Sequence, residues 1–96
     1  PAGCVALRII DDEACEMKRM FVFPQFHGKG VGRALGEAVV AEAKRLGYRR
    51  MLLDTGARQT EAKALYRRLG FIEVEPYYDL PNDLREWLTF MELRLD

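Results

Sequence analysis

Apolar positions recur at helical spacing over two stretches of this chain and alternate or cluster like strands over the rest. Val31, Leu35, Ala38, Val39 and Leu46 fall on one stripe and predict a helix over 31–46, with Gly47 placed to end it in a left-handed turn. Ala62, Leu65, Tyr66 and Leu69 share the face of a second helix, for which Thr60 is a suitable N-cap and Gly70 a stop. Val5 to Ile10 is β-rich, Asp11-Asp12-Glu13 turns it, and Ala14 to Phe23 continues as a long strand. Pro24 ends that strand because it has no N–H to give to a ladder. Tyr48 to Asp54 reads as a strand buried at Met51-Leu52-Leu53, Phe71 to Val74 as a short strand, and 76–86, with its two prolines, as a loop. Trp87, Thr89, Met91 and Leu93 alternate with Leu88, Phe90, Glu92 and Arg94, which predicts a final strand antiparallel to 71–74. The order β-β-α-β-α-β-β gives an α/β fold with a mixed, mostly antiparallel sheet and two helices, in a single domain over residues 1–96. No repeat, linker or low-complexity tract interrupts it.

Composition narrows the class of protein without naming a function. Of the 96 residues, 49% are hydrophobic and 31% charged, and the formal net charge is zero. That balance argues against a polyanion as the main partner, although Arg49, Arg50, Arg58, Arg67 and Arg68 make local patches. No apolar run approaches the ~20 residues that span a bilayer, and no secretory signal pattern is present, so no membrane partner is expected. A hairpin turning at 11–13 sets Cys4 opposite Met20 and Cys15 opposite Ile9. Its two sulfurs are then kept apart, since a disulfide needs Cα atoms roughly 4.4–6.8 Å from each other. Reduced cysteines predict an intracellular, cytoplasmic protein. A lone His27 and two separated cysteines offer no metal-ligand cluster.

The chemistry concentrates between Val22 and Arg33, in V-F-P-Q-F-H-G-K-G-V-G-R. Gly28, Gly30 and Gly32 stand at alternate positions where a strand gives way to a helix, so the backbone is free to curl and to be approached at its amides. Unpaired N–H groups at a helix start carry positive dipole and suit phosphate, and Lys29 and Arg33 add cationic side chains. The dinucleotide fingerprint G-x-G-x-x-G fails here, because Arg33 holds its third glycine position. The P-loop pattern fails as well, since Gly28-Lys29 is followed by Gly30 and not by Ser or Thr.

The stretch His27-Gly28-Lys29-Gly30-Val31-Gly32 instead resembles the R/Q-x-x-G-x-G/A loop of the GNAT N-acetyltransferases. Downstream, Ala62-Lys63-Ala64-Leu65-Tyr66-Arg67-Arg68-Leu69-Gly70-Phe71 is similar to that family's A-x-x-L-Y-x-x-L-G-F signature. Two signatures in the right order are more specific than either alone, and the resemblance runs from about Gly3 to the C-terminus. Two positions depart from the pattern. His27 puts a titrating imidazole where Arg or Gln is usual, in a phosphate-contacting or loop-supporting role, and Gln59 stands nearest to an asparagine the family often carries. Because such domains usually begin with two helices and a strand, the resemblance also implies that Pro1 starts the chain inside the domain, without its N-terminal elements.

The resemblance implies acetyl-CoA as cosubstrate, with its pyrophosphate on the amides of Gly28, Lys29, Gly30, Val31, Gly32 and Arg33. It also implies direct transfer of the acetyl group to a primary amine of a small molecule or peptide in a ternary complex. Met20 and Val22 match the positions of a splayed strand whose main chain meets the pantetheine and thioester, and both equally suit a core strand. Tyr66 matches the tyrosine that serves as general acid toward the departing thiolate, against the alternative of a packed helical aromatic. Glu16 is the candidate base, on the reasoning that strand alternation gives it the same face as Lys18, Met20 and Val22; otherwise it is a solvated carboxylate paired with Lys18. Arg19, on the other parity, reads as a surface or dimer-contact residue. Tyr77, Tyr78, Asp79 and Trp87 either shape the acceptor site or cap the sheet. A non-catalytic acetyl-CoA-binding regulatory module is the alternative function, and a nucleic-acid module is disfavoured by the zero net charge. An unpaired first strand would further predict a weakly held homodimer through edge pairing.

Overall fold

The computed structural model describes residues 2–96, and Pro1 lies outside them. Five strands form one sheet: β1 (Gly3–Ile9), β2 (Ala14–Val22), β3 (Arg50–Gly56), β4 (Ile72–Val74) and β5 (Leu88–Arg94), in the order β1-β2-β3-β5-β4. The β2–β3 pair is parallel and the other three are antiparallel, so the sheet is mixed and mostly antiparallel as expected. Parallel neighbours need a crossover, and helix α1 (Val31–Arg45) supplies it. Helix α2 (Thr60–Leu69) lies between β3 and β4 in sequence, and a one-turn α3 (Asn82–Arg85) breaks the long loop before β5.

Local chemistry explains the boundaries. Asp11 closes the first hairpin by accepting hydrogen bonds from the backbone N–H of Glu13 and of Ala14, each at 2.8 Å. Those two bonds hold its carboxyl below the usual range. Helices α1 and α2 end at Gly47 and Gly70, both in the left-handed region. Thr60 is the first residue of α2 and not its cap; Gln59 takes the N-cap position.

One face of the sheet carries the core. Cys15, Met17, Met51, Leu53 and Met91 pack with Val39 and Ala43 of α1, Tyr66 of α2 and Phe71. The two helices touch closely because a Cβ on Gly36 would stand 2.6 Å from Leu69 Cδ1, and one on Gly32 would stand 3.3 Å from Leu65 Cδ2. Two glycines one turn apart on α1 thus receive two leucines one turn apart on α2. The opposite face has no long helix over it and carries Glu16, Lys18, Asp54 and Phe90 beneath Tyr77 and Tyr78.

The expected hairpin register holds from Ile9↔Cys15 to Ala6↔Lys18 and then shifts, so that Cys4 faces Phe21 and not Met20. The extra residue in β2 is accommodated at Arg19, whose φ of 56° makes it the one non-glycine residue at positive φ among those described. A bulge interrupts alternation. Cys15 and Met17 face the helices, as do Met20 and Val22 beyond the bulge, whereas Glu16 and Lys18 face the other way. The expectation that Glu16 shares a face with Met20 and Val22 is therefore overturned, because it counted residues in twos through a position where the strand does not. Both cysteines are free thiols, and burial pushes the Cys15 thiol up to about 11, which makes it a poor nucleophile.

Candidate functional site

Three cavities lie in sequence across the molecule. The first, of about 550 Å³, is bounded by Val22, Phe26, His27 and the glycine loop on one side and by the first turns of α2 on the other. Gly28 and Gly30 have φ of 78° and 77°, with open space where a side chain would stand. Their value is conformational, since an L-residue is strained there. Gly32 is different: its missing Cβ makes room for Leu65 and Val22. Gly30 is also the N-cap of α1, so the N–H groups of the first turn lack intrahelical acceptors beside this cavity.

His27 ties the loop to the strand it leaves. Its Nε2–H donates to the Val22 carbonyl at 2.8 Å, which fits loop support. The two expected cations sit elsewhere: Arg33 pairs with Glu37 at 2.8 Å, and the Lys29 ammonium lies 5.9 Å from the Phe26 ring centroid, neither lining the cavity. Arg68, with Thr60 and Glu61, lines it instead. The sequence reading gave Arg68 only a place in a local basic patch, although its spacing from Glu61 and Leu65 puts all three on one helical face.

The second cavity is a cleft of about 260 Å³ between β2 and β3. Their pairing ends at Glu16↔Leu52, and beyond it the strands part, leaving the β3-facing side of β2 without a strand neighbour. Met17 to Met20 form one wall and Leu53 to Gly56 the other, with Gln59 and Tyr66 closing the helix side. The bulge at Arg19 thus lies on the wall of the opening. Tyr66 is only 7% exposed, packs edge-on to Phe71 with centroids 5.9 Å apart, and has its phenol pushed up by burial. It is a protonated donor at neutral pH. Gln59, Thr60, Glu61 and Ala62 make a further concavity joining the rim of the first cavity to the cleft.

The third cavity, of about 300 Å³, opens on the sheet face opposite the helices and is lined by Arg8, Ile10, Glu16, Lys18, Tyr77 and Tyr78. Lys18 lines the cleft as well and so marks where the two meet. Glu16, 3% exposed, accepts a hydrogen bond from the Tyr77 hydroxyl, and Asp54 accepts one from Tyr78 at 2.9 Å. Burial, and then the carboxylate each one faces, pushes Tyr77 far up and Tyr78 up to about 12. Trp87 and Asp79 do not line this cavity; Trp87 lies under the Arg58 guanidinium, 5.2 Å from the ring centroid. The structure therefore gathers Met20, Gln59 and Tyr66 at the cleft, brings Val22, His27, Gly28, Gly30, Val31 and Gly32 to the first cavity, and sets Glu16 across the sheet from both.

Comparison with known proteins gives a consistent picture. A family model described as an acetyltransferase (GNAT) domain matches residues 1–73, which include the glycine loop, the cleft and α2 but not Tyr77 or Tyr78. An uncharacterized N-acetyltransferase of Dictyostelium discoideum is 43% identical over 81 residues, covering 84% of this chain and 37% of that protein. A solved structure of an acyl-CoA N-acyltransferase candidate from Klebsiella pneumoniae superposes with a TM-score of 0.89 at 32% identity, covering 99% of this chain and 64% of its own. A GNAT family acetyltransferase from Elizabethkingia anophelis, solved with acetyl-CoA bound, gives a TM-score of 0.83 at 25% identity over 98% of this chain and 69% of its own. The chain spans about half or less of the length of the curated relatives it matches.

Proposed function

This chain belongs to the acetyltransferase (GNAT) domain family, and on that premise we propose that it acts as one domain to transfer an acetyl group from acetyl-CoA to a primary amine. The observation that carries the reading is the parting of β2 and β3 beyond Glu16↔Leu52, which opens a cleft that shares Lys18 with the charged cavity and borders the glycine-loop cavity through Gln59.

The residues present fit the cosubstrate. Free N–H groups at the start of α1, with Arg68 across the cavity, suit a pyrophosphate. The unpaired side of β2 at Met20 and Val22 offers main-chain groups to an extended amide-bearing arm. Acetyl-CoA supplies the activated acyl group. The amine enters from the Glu16 side, its nitrogen bonds to the acyl carbon, and the carbon–sulfur bond breaks. Glu16 takes the proton the amine gives up, directly or through water, and Tyr66 gives its phenolic proton to the departing sulfur.

Calorimetric titration with acetyl-CoA, with dephospho-CoA and NAD as controls, tests the cosubstrate. Selective heat with acetyl-CoA, abolished by Gly30→Glu, is expected. Tyr66→Phe then separates an enzyme from a binding module, since it lowers turnover in the first and leaves a module's affinity nearly unchanged.

Two assembly features follow the same reading. β1 is a sheet edge with Ile9 68% exposed, which supports weak edge-to-edge homodimerisation. Light scattering across a wide concentration range is expected to show a dimer at the high end, and monomer throughout would refute it. Free thiols at Cys4 and Cys15 suit a reducing, cytoplasmic setting.

A further inference from the structure

From the charges around Glu16, and resting on the acetyl-transfer reading above, we infer that the acceptor is a small amine carrying its own carboxylate, an amino acid in chemical class, held with its amine at Glu16 and Asp54 and its carboxylate at Arg8 and Lys18.

Arg8, Lys18 and Glu16 line the cavity, and Asp54 stands on its cleft side within reach of Lys18; the contacts of these four groups are of two kinds. Each carboxylate is fixed by a tyrosine hydroxyl, Glu16 by Tyr77 and Asp54 by Tyr78. The cations are held loosely. Arg8 Nη1 and Lys18 Nζ each stand 3.6 Å from Glu16 Oε1, and Lys18 Nζ stands 3.8 Å from Asp54 Oδ2. All three distances exceed the roughly 2.7–3.2 Å of an N–H···O hydrogen bond. A ligand entering here therefore breaks no charge-assisted hydrogen bond among these four groups.

Charge balance then selects the ligand. The four side chains sum to zero, so an ammonium entering alone leaves an uncompensated positive charge beside a carboxylate that is 3% exposed. A zwitterion keeps the sum at zero and satisfies both signs. Arg8 suits the carboxylate: its side chain is 69% exposed at the mouth and touches Glu16 through one nitrogen, which leaves a planar fork of donors for a bidentate partner. Size points the same way, because about 300 Å³ stands at the bottom of the ~300–1,000 Å³ range of ligand pockets. Ile10 and the two tyrosine rings supply an apolar wall for a side chain.

The test pairs each amino acid with its carboxamide, L-phenylalanine against L-phenylalaninamide and L-alanine against L-alaninamide. The amide loses the carboxylate charge and has a less basic amine, so kcat/KM is compared per neutral amine, and the amide is also the stand-in for a peptide N-terminus. The expected result is a preference for the acids of about tenfold or more in kcat/KM, collapsing toward unity in Arg8→Met through loss of the acid's kcat/KM. Amides acetylated as well as or better than acids, or a preference untouched by Arg8→Met, would overturn the inference. Chemical-shift titration of the chain with the same pairs, with and without acetyl-CoA, reads the pocket without turnover. Tighter binding of the acid there supports the assignment and equal binding refutes it. Failure of the acetyl-transfer reading shows separately, as absence of acetyl-CoA binding.

Discussion

On the helix-covered face of the sheet, Cys15, Met17, Met51, Leu53 and Met91 pack into α1 and α2, beside the glycine-loop cavity and the cleft. On the other face, Glu16, Lys18 and Asp54 stand under two tyrosines with Arg8 at the rim. The same strands supply both surfaces, since successive side chains of β2 and β3 point opposite ways. The family model covers the glycine loop, the cleft, α2 and the charged residues Arg8, Glu16, Lys18 and Asp54; Tyr77 and Tyr78, like β5, lie outside its match. In the proposed reading the helix-covered face handles the cosubstrate and the opposite face selects what is modified, with the cleft between β2 and β3 joining them.

That division can be broken from either side. The largest effect is expected from Tyr66→Phe on the helix side, which should lower turnover by about 10²–10⁴-fold while acetyl-CoA affinity, read by calorimetry, stays nearly unchanged. Gly30→Glu combines a side chain at positive φ with an added carboxylate at a helix N-terminus, and should weaken acetyl-CoA binding by at least about tenfold. A smaller change is expected on the opposite face. Glu16→Gln should leave cosubstrate affinity intact and lower kcat by about 10–10²-fold, with part of the loss recovered at higher pH where the amine is already neutral. Equal losses of affinity in Glu16→Gln and Gly30→Glu would erase the distinction between the faces.

Two stability effects sharpen it further. Gly36→Ala sets a methyl 2.6 Å from Leu69 Cδ1, a side-chain end that must shift, and with about 1 kcal/mol returned by helix propensity the net loss should be at most about 2 kcal/mol by chemical denaturation. The smallest effect concerns alkaline pH. Tyr78 is raised in the folded chain to about 12, so its contribution is present below pH ~10 and is lost as pH climbs through about 12. Tyr78→Phe should flatten the fall of the melting temperature over that window, and an unchanged slope would assign the fall to other groups.

Helices α1 and α2, the glycine loop and the order of elements along the chain were legible because each is written in local spacing, whereas α3 fell within a segment read as loop. Val31, Leu35 and Val39 mark the packed face of α1 before any contact is seen, and the 62–71 run places Tyr66. The facing of Glu16 was not legible. Nothing in Lys18-Arg19-Met20 announces a positive φ, which arginine does not favour, so alternation was carried through the bulge. The charged pocket was invisible for another reason: residues 8, 16, 18, 77 and 78, with Asp54 beside Lys18 and Tyr78, converge only through strand pairing and the return of a long loop. Only Tyr77 and Tyr78 of the loop aromatics reach it, while Trp87 turns to Arg58.

The bulge at Arg19 is one residue long. Taking that residue out would leave Met17, Met20 and Val22 toward the helices and Lys18 and Phe21 away from them, because an extra position inserted into a two-residue rhythm displaces no neighbour's side once it is deleted. The hairpin ladder would run unbroken and the core would keep its inventory, yet the wall of the opening would be straight. A single residue thus shapes the wall of the opening without contributing to the core, and a chain lacking Arg19 is the variant in which folding and catalysis should come apart.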